Sequence, residues 1–523
     1  MTFNFMKEKN SDGKLILSLL FLIACITAFC IGANFSVIND GFWHIKSGEY
    51  ILKNGFIPKT AVFSWYGISN NLKWINHEWL FGIFAYLIYS IDGFKSVTIF
   101  MGLFNFIVSI LVYIYAYKRC KKPFIALICM FLYTLFSFYT MSFRPMMVSR
   151  IIILLLCIFL EDKKFIPAII VLILGVNIQG GLYPLYLFIF GCYSLFKHYK
   201  YFLVSFICVM LNPYTYNIYL YDLNLFSSFK NNPVISEWTY TQIYNYKTLL
   251  FIIIVSVLIY WLSKVSIRNV IFSGGLIFLS VTAVRQILFL FLLLPAIISP
   301  YFEDSIYVFC RNYISIKKFK IPAKKSTKHF QRIIIFLKNK INKLNASKEK
   351  VIRNICYFVI LTLCFFSSLA FLDDYTTKLF VLHQDFSIKL SSIDYPIEAC
   401  NYINNHPEIK NSRLFNDYNT SPYLIFRGIP TFVDTRTDIF INGFNKTNSF
   451  MDQHNASINY EQMLLVLKKY NIDYAILENN QINTRILKRT SIPTTVYQDD
   501  YYVIVEINKG QLKKAIDGKD FFN

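Results

Sequence analysis

The sequence predicts a polytopic α-helical membrane protein with about eleven spans and a small extracytoplasmic α/β domain at its C-terminal end. Three observations carry that expectation. The 523-residue chain is 55% hydrophobic and 18% aromatic yet has a formal charge of +22, a combination natural for a multi-span protein with basic inner loops. Its lysines and arginines stand between apolar runs, so they read as topology signals rather than as a nucleic-acid surface. Beyond residue 373 the long apolar runs stop, and short segments of strand and helix character replace them.

The first apolar run, LILSLLFLIACITAFCIGANF, has no small-x-small cleavage signal after it and reads as a retained helix. Candidate spans lie near 15–35, 94–117, 123–142, 146–160, 165–177, 182–196, 200–212, 248–263, 269–285, 287–302 and 354–373. The stretch EWLFGIFAYLIYSI (78–91) is short for a span. Reading it as a helix lying in the outer interface places the N-terminus, KRCKK, EDKK, KHYK, SKVSIR and the basic stretch 303–353 together on the cytoplasmic side of a plasma membrane. Residues 1–302 then form the helical core, 354–373 the last span and 374–523 the outer domain. The stretch 303–353 predicts a basic amphipathic helix drawn to anionic lipid, with no nucleic-acid partner.

In the outer domain, YPIEACNYINN and YEQMLLVLKKYN read as helices, and RLFND, TFVDTR, YAILE, TTVYQ and YYVIVEI as strands. The eleven cysteines lie mostly in apolar segments and show no C-x-x-C pair, so neither a disulfide framework nor a cysteine metal site is indicated. No internal repeat of fixed period is evident, which withholds support from a repeat-built transporter.

With this topology the ionisable residues near membrane depth gather on the outer side. Asp40, Trp43 and His44 open the first outer loop (36–77), and KWINHEWL closes it with His77 and Glu78. Arg144 lies in the next outer turn, Glu237 in a later outer loop, and Arg285 near the outer end of a span. A charged side chain at a helix centre costs about 2.5–3.5 kcal/mol, so such residues usually face a cavity, a partner or the interface. Their convergence describes an outward polar cavity. Plainer readings stand beside it: Trp43, Trp74, Trp79 and Trp238 as interfacial belt residues, His44 and His77 as packing groups, Arg144 as a headgroup anchor and Glu237 as a solvated side chain. Asp40, His44, His77 and Glu78 also offer oxygen and imidazole ligands for a divalent cation, though no established ligand pattern matches.

At these residues the chain resembles the GT-C superfamily of polytopic glycosyltransferases, which take a sugar from a polyprenyl-phosphate donor. It is similar to a bacterial branch with a D-x-x-W-H-I-x-x-G-x-x-I-x-x-x-G-x-I-P loop after the first helix, followed by W-x-x-H-E-W-L. Both stand here, as DGFWHIKSGEYILKNGFIP (40–58) and WINHEWL (74–80). Weaker echoes are RPMMVSR, VNIQGG, LNPY, ISEW and LFNDY…TFVDTRTD. The branch usually shows D-P-D-x-W-W-H, whereas this chain has Asp40-Gly41-Phe42-Trp43-His44, which leaves Asp40 the lone carboxylate of its segment and weighs against metal dependence. Gln179 stands where a histidine is common and takes no catalytic role.

The resemblance implies a GT-C-like fold and transfer of a sugar from a polyprenyl-phosphate donor to an envelope glycan, lipid or protein. Asp40 would be the general base. Arg285, and after it Arg144, would meet the leaving phosphate. His44, His77, Glu78 and Glu237 would complete the substrate site. A lipid or glycan flippase and a non-catalytic envelope assembly protein are the alternatives. FVDTRTD (432–438) either binds the acceptor or only builds a strand and turn, and the structural reading is favoured.

Overall fold

A computed structural model describes residues 11–33, 39–138, 140–195, 197–229, 241, 247–309 and 395–518. Glu237, Trp238, the basic stretch from residue 310 and the expected span 354–373 lie outside the described residues.

The N-terminal part is a bundle of helices. Along the chain these are α1 (Ser11–Gly32), α2 (Gly41–Asn54), α3 (Trp65–Ser69), α4 (Trp79–Cys120) and α5 (Pro123–Ser137). They continue as α6 (Pro145–Glu161), α7 (Phe165–Ile178), α8 (Tyr183–Ser194), α9 (Tyr199–Val209) and α10 (Asn217–Phe229). The last are α11 (Lys247–Leu262), α12 (Ile267–Thr282), α13 (Ile287–Ile298) and α14 (Phe302–Phe309). Each expected span within the described residues coincides with a helix. By length and apolarity Leu15–Gly32, Trp79–Cys120 and Val284–Ser305 suffice to cross a membrane, and five further apolar helices are shorter.

Helix α4 is two helices in one. Asp92 (φ −154°, ψ 43°) and Gly93 (φ 59°, ψ −138°) leave helical geometry, and the Ser96 hydroxyl fills the break by donating to the Ile88 carbonyl at 2.6 Å. The segment 79–91 is therefore a helix of its own, as the sequence suggested.

Ends of the long helices meet in ion pairs at one end of the bundle. Lys118 pairs with Asp162 at 2.7 Å, Arg119 with Glu161 at 2.7 Å, Lys122 with Glu303 at 2.9 Å and Arg268 with Glu161 at 3.5 Å. At the opposite end lie Asp40, Glu78, Arg144 and Arg285.

The expected first outer loop is more ordered than a loop. Residues 41–54 form α2, whose buried face (Phe42, Ile45, Gly48, Ile51) follows helical spacing, and Gly55 stops it at φ 74°. A Cβ on Gly48 would lie 2.0 Å from the Gly82 carbonyl oxygen, so α2 and α4 touch backbone to backbone at that point. The expected outer loop after α9 likewise contains a helix, α10.

The C-terminal part carries a four-stranded sheet of order β1-β2-β4-β3: β1 (Leu414–Asn416), β2 (Tyr474–Glu478), β3 (Pro493–Gln498) and β4 (Tyr502–Ile507). β1 and β2 are parallel and the other pairs antiparallel. Alternation along β4 splits the core. Val503, Val505 and Ile507 pack with Met463, Leu464 and Leu467 on one face, while Tyr502 and Ile504 pack with Ala399, Cys400 and Ile403 on the other.

TFVDTR is not the strand that its composition suggested. Only Thr431 bridges, in parallel to Ser64, with Trp65 N–H donating to its carbonyl at 2.9 Å. Beyond it, the Asp434–Arg436 ion pair turns the backbone away from extended pairing. This seam sews the sheet part to the loop before α4. Phe42 completes it, packed edge-on against Tyr395 and Tyr423.

Gly48→Ala is expected to lower stability by about 1–3 kcal/mol or more, because the added methyl meets backbone that cannot yield. Gly274→Ala on α12, where nothing lies within 4 Å of the new Cβ, is expected to be neutral. Thermal unfolding of both variants in detergent checks the contrast.

Candidate functional site

The contact of Gly48 with Gly82 places one residue a turn earlier on each helix face to face. Those residues are His44 and Glu78. His44 Nε2 lies 3.6 Å from Glu78 Oε2, and His77 Nδ1 lies 4.0 Å from Glu78 Oε1, so the carboxyl group sits between two imidazoles. His44 is only 2% exposed, wedged between the rings of Trp43 and Phe81. His77 is fixed by its backbone, since Gly180 N–H donates to its carbonyl at 3.0 Å, and its ring meets Tyr221 edge-on.

The motif echoes found in the sequence serve this framework. Trp79 Nε1 donates to Asn177 at 3.1 Å, Ser149 donates to Gln179 at 2.7 Å, and Tyr214 Oη accepts from Asn76 N–H at 2.9 Å. Gln179, held by Ser149, also lines the cavity beside this framework.

Asp40 precedes α2 but does not cap it; its backbone is already helical and its side chain makes no capping bond. Instead Oδ2 meets Arg144 Nη2 at 3.1 Å, while Oδ1 is buried with no hydrogen-bond partner among the described residues. Arg285, in the short turn between α12 and α13, lines the same space, and its charge reaches His77, Glu78 and Asp222.

These groups open on one cavity of about 1720 Å³. It joins Asp40, His44, His77, Glu78, Arg144 and Arg285, which the sequence placed together. It also holds groups that sequence reasoning missed. Asp222 on α10 is 6% exposed with Oδ2 unpartnered among the described residues, and Arg436 and Asp438 enter from the sheet part. An aspartate inside the apolar stretch IYLYDLNLF was the available signal for the first. The other two lie in the echo TFVDTRTD, whose favoured reading as strand and turn gave them no part in the site. Trp43 and Trp74, read as belt residues, are instead buried in the cavity wall and the seam beneath it.

Burial dominates the electrostatics. It pushes Glu78 up to about 8, with the Asp40 charge adding to the shift and Arg285 opposing it. Burial, then Arg285, pushes His77 down to about 4. Burial, Arg144 and His77 hold His44 well below the usual imidazole range. Asp222 is raised to about 7 by burial against the pull of Arg285. Neutral imidazoles, a carboxyl raised to about 8 and two guanidinium groups make the polar chamber rich in hydrogen-bond donors.

The same donors do not assemble into a cation cage. Among the described residues no group of three or more His, Cys, Asp or Glu is placed to hold a metal ion, and Asp40 is turned onto Arg144 rather than toward the histidines.

A raised carboxyl favours the fold in its protonated form. The contribution from Glu78 is whole below pH 4.5 and is lost as pH rises to about 8. Glu78→Gln is therefore expected to flatten the decline in thermal midpoint across that window, as measured by unfolding at a series of pH values. Comparison with known proteins adds no relative: no protein-family model matches the chain, and no curated protein matches it.

Proposed function

We propose that the protein is a polytopic membrane glycosyltransferase of GT-C type, with about eleven spans, a cytoplasmic N-terminus and an extracytoplasmic C-terminal domain in the plasma membrane. It would move a sugar from a polyprenyl-phosphate donor to an envelope glycan, lipid or protein. The observation that carries this reading is the form of the cavity. Below the polar chamber it continues as an apolar slot between one face each of α5 (Ile125, Cys129, Phe136), α11 (Ile252, Val255, Ile259) and α13 (Leu288, Phe291, Pro295). The slot reaches Ser299 and Phe302 near the basic ends of the helices. A polar head with a long apolar tail fits that space, and a soluble sugar nucleotide does not require it.

Among the described residues, no charged side chain lines the far end of the slot. That one-sidedness favours an enzyme that works at one face over a transport route that must accept a polar cargo at both.

In the reaction, the acceptor hydroxyl attacks the anomeric carbon, the carbon–oxygen bond to phosphate breaks, and polyprenyl phosphate departs. Asp40 takes the hydroxyl proton, the free Oδ1 being the accepting atom and Arg144 holding Oδ2. Arg285 stabilises the negative charge on the leaving phosphate. Arg144, already engaged by Asp40, is the weaker candidate for that task. Glu78, protonated at neutral pH, donates a hydrogen bond to the sugar and is not a competing base.

Asp40→Asn is expected to reduce transfer by at least about a hundredfold. The check is mass spectrometry of envelope glycans and glycolipids from native cells, cells lacking the protein, and cells carrying Asp40→Asn at matched protein level. The same sugar mass missing from both altered strains, with the lipid-linked sugar accumulating, supports the reading. Full restoration by Asp40→Asn removes Asp40 as the base. Arg285→Ala is expected to weaken binding of polyprenyl phosphate by about tenfold or more, measured on the purified protein.

A further inference from the structure

Arg436 is built to present one unused edge. Its Nε and Nη2 donate to Asp434 at 2.9 and 2.6 Å, and its guanidinium lies 4.4 Å from the Trp74 ring centroid and 5.1 Å from that of Phe63. The side chain is 4% exposed, and Nη1 has no hydrogen-bond partner among the described residues. Leaving a buried donor unsatisfied costs about 1–3 kcal/mol, and a guanidinium cannot shed its proton to avoid it. Two neighbours are in the same condition. Trp43, 7% exposed and edge-on to Trp74, has an unpartnered Nε1, and so has the Thr435 hydroxyl. All three residues line the chamber, with the Asp438 carboxyl beside them.

We propose that Trp43 and the turn 435–438 form a subsite for the vicinal hydroxyls of a saccharide, with Arg436 Nη1 and Trp43 Nε1 donating and Asp438 accepting. Three features select that ligand chemistry. Asp434 neutralises the Arg436 charge through a paired, fully buried contact, so the site is not set up for a bare anion. Donors and a carboxyl stand together, which suits hydroxyl groups that both accept and donate. The Trp43 indole, one face of which packs on His44, brings what remains exposed of its ring to the chamber as an apolar surface for ring carbons. The subsite also explains why the sheet part docks on the first loop: neither part alone holds both Trp43 and Arg436. The inference rests on the transferase reading and adds where a sugar is gripped.

The test uses the full-length protein in lipid nanodiscs. Methyl glycosides of glucose, galactose, mannose and N-acetylglucosamine are titrated by saturation-transfer NMR, and decaprenyl phosphate is titrated separately. At least one glycoside is expected to bind saturably, and Trp43→Phe and Asp438→Asn are each expected to weaken it at least about fivefold with the thermal midpoint unchanged. If Trp43→Phe lowers the midpoint, the half-buried Asp438→Asn decides alone. Absence of binding by every glycoside, or binding that Asp438→Asn leaves intact, overturns the subsite. Decaprenyl phosphate binding without glycoside binding would leave the transferase reading standing and sink this one; the reverse pattern would sink the lipid donor instead. Where a glycoside binds, competition by the same sugar on decaprenyl phosphate assigns the subsite to the donor, and simultaneous binding assigns it to the acceptor.

Discussion

The chamber depends on the close approach of Gly48 and Gly82. A helix pair separated by side chains would sit about 8–10 Å apart axis to axis, whereas backbone contact draws α2 inward against the start of α4. That single approach brings His44 to Glu78, carries Trp43 over Trp74, and places the start of α2 where Asp40 meets Arg144. Small residues thereby do for α2 what a long apolar face does for an ordinary helix.

Given that frame, the chemistry follows from unequal treatment of similar groups. Asp40 is matched to a guanidinium at 3.1 Å, while Glu78 lies between two uncharged imidazoles in a drier position. One carboxyl is held by an ion pair, and the other retains its proton because burial makes the charged form costly. The histidines contribute by staying neutral, so they bring dipoles and donors without adding positive charge to a site that already holds Arg144 and Arg285.

The helices were legible because apolar runs bounded by basic clusters have few other solutions, and the break at Asp92–Gly93 falls between the expected segments 78–91 and 94–117. Asp40, His44, His77, Glu78, Arg144 and Arg285 were legible as polar residues at matching ends of those runs. Helix α2 was obscured because its buried face includes serine, glycine and histidine, which lower its apolar signal. TFVDTR misled for a different reason. Its alternation suits a strand, but the aspartate and arginine two residues apart satisfy each other, and their partner rings come from Phe63 and Trp74. No local pattern reports a contact across such a distance.

The seam between Ser64 and Phe432 joins positions 368 residues apart. In the proposed topology, the wall holding Arg436 is synthesised last and must cross the membrane before it can close over α2. A chain that stalls or is clipped beyond the last span would keep its slot and its ionisable groups but have an open chamber with one side missing. In that topology the order of biogenesis would act as a proofreading step, closing the chamber only in molecules whose insertion has gone to completion.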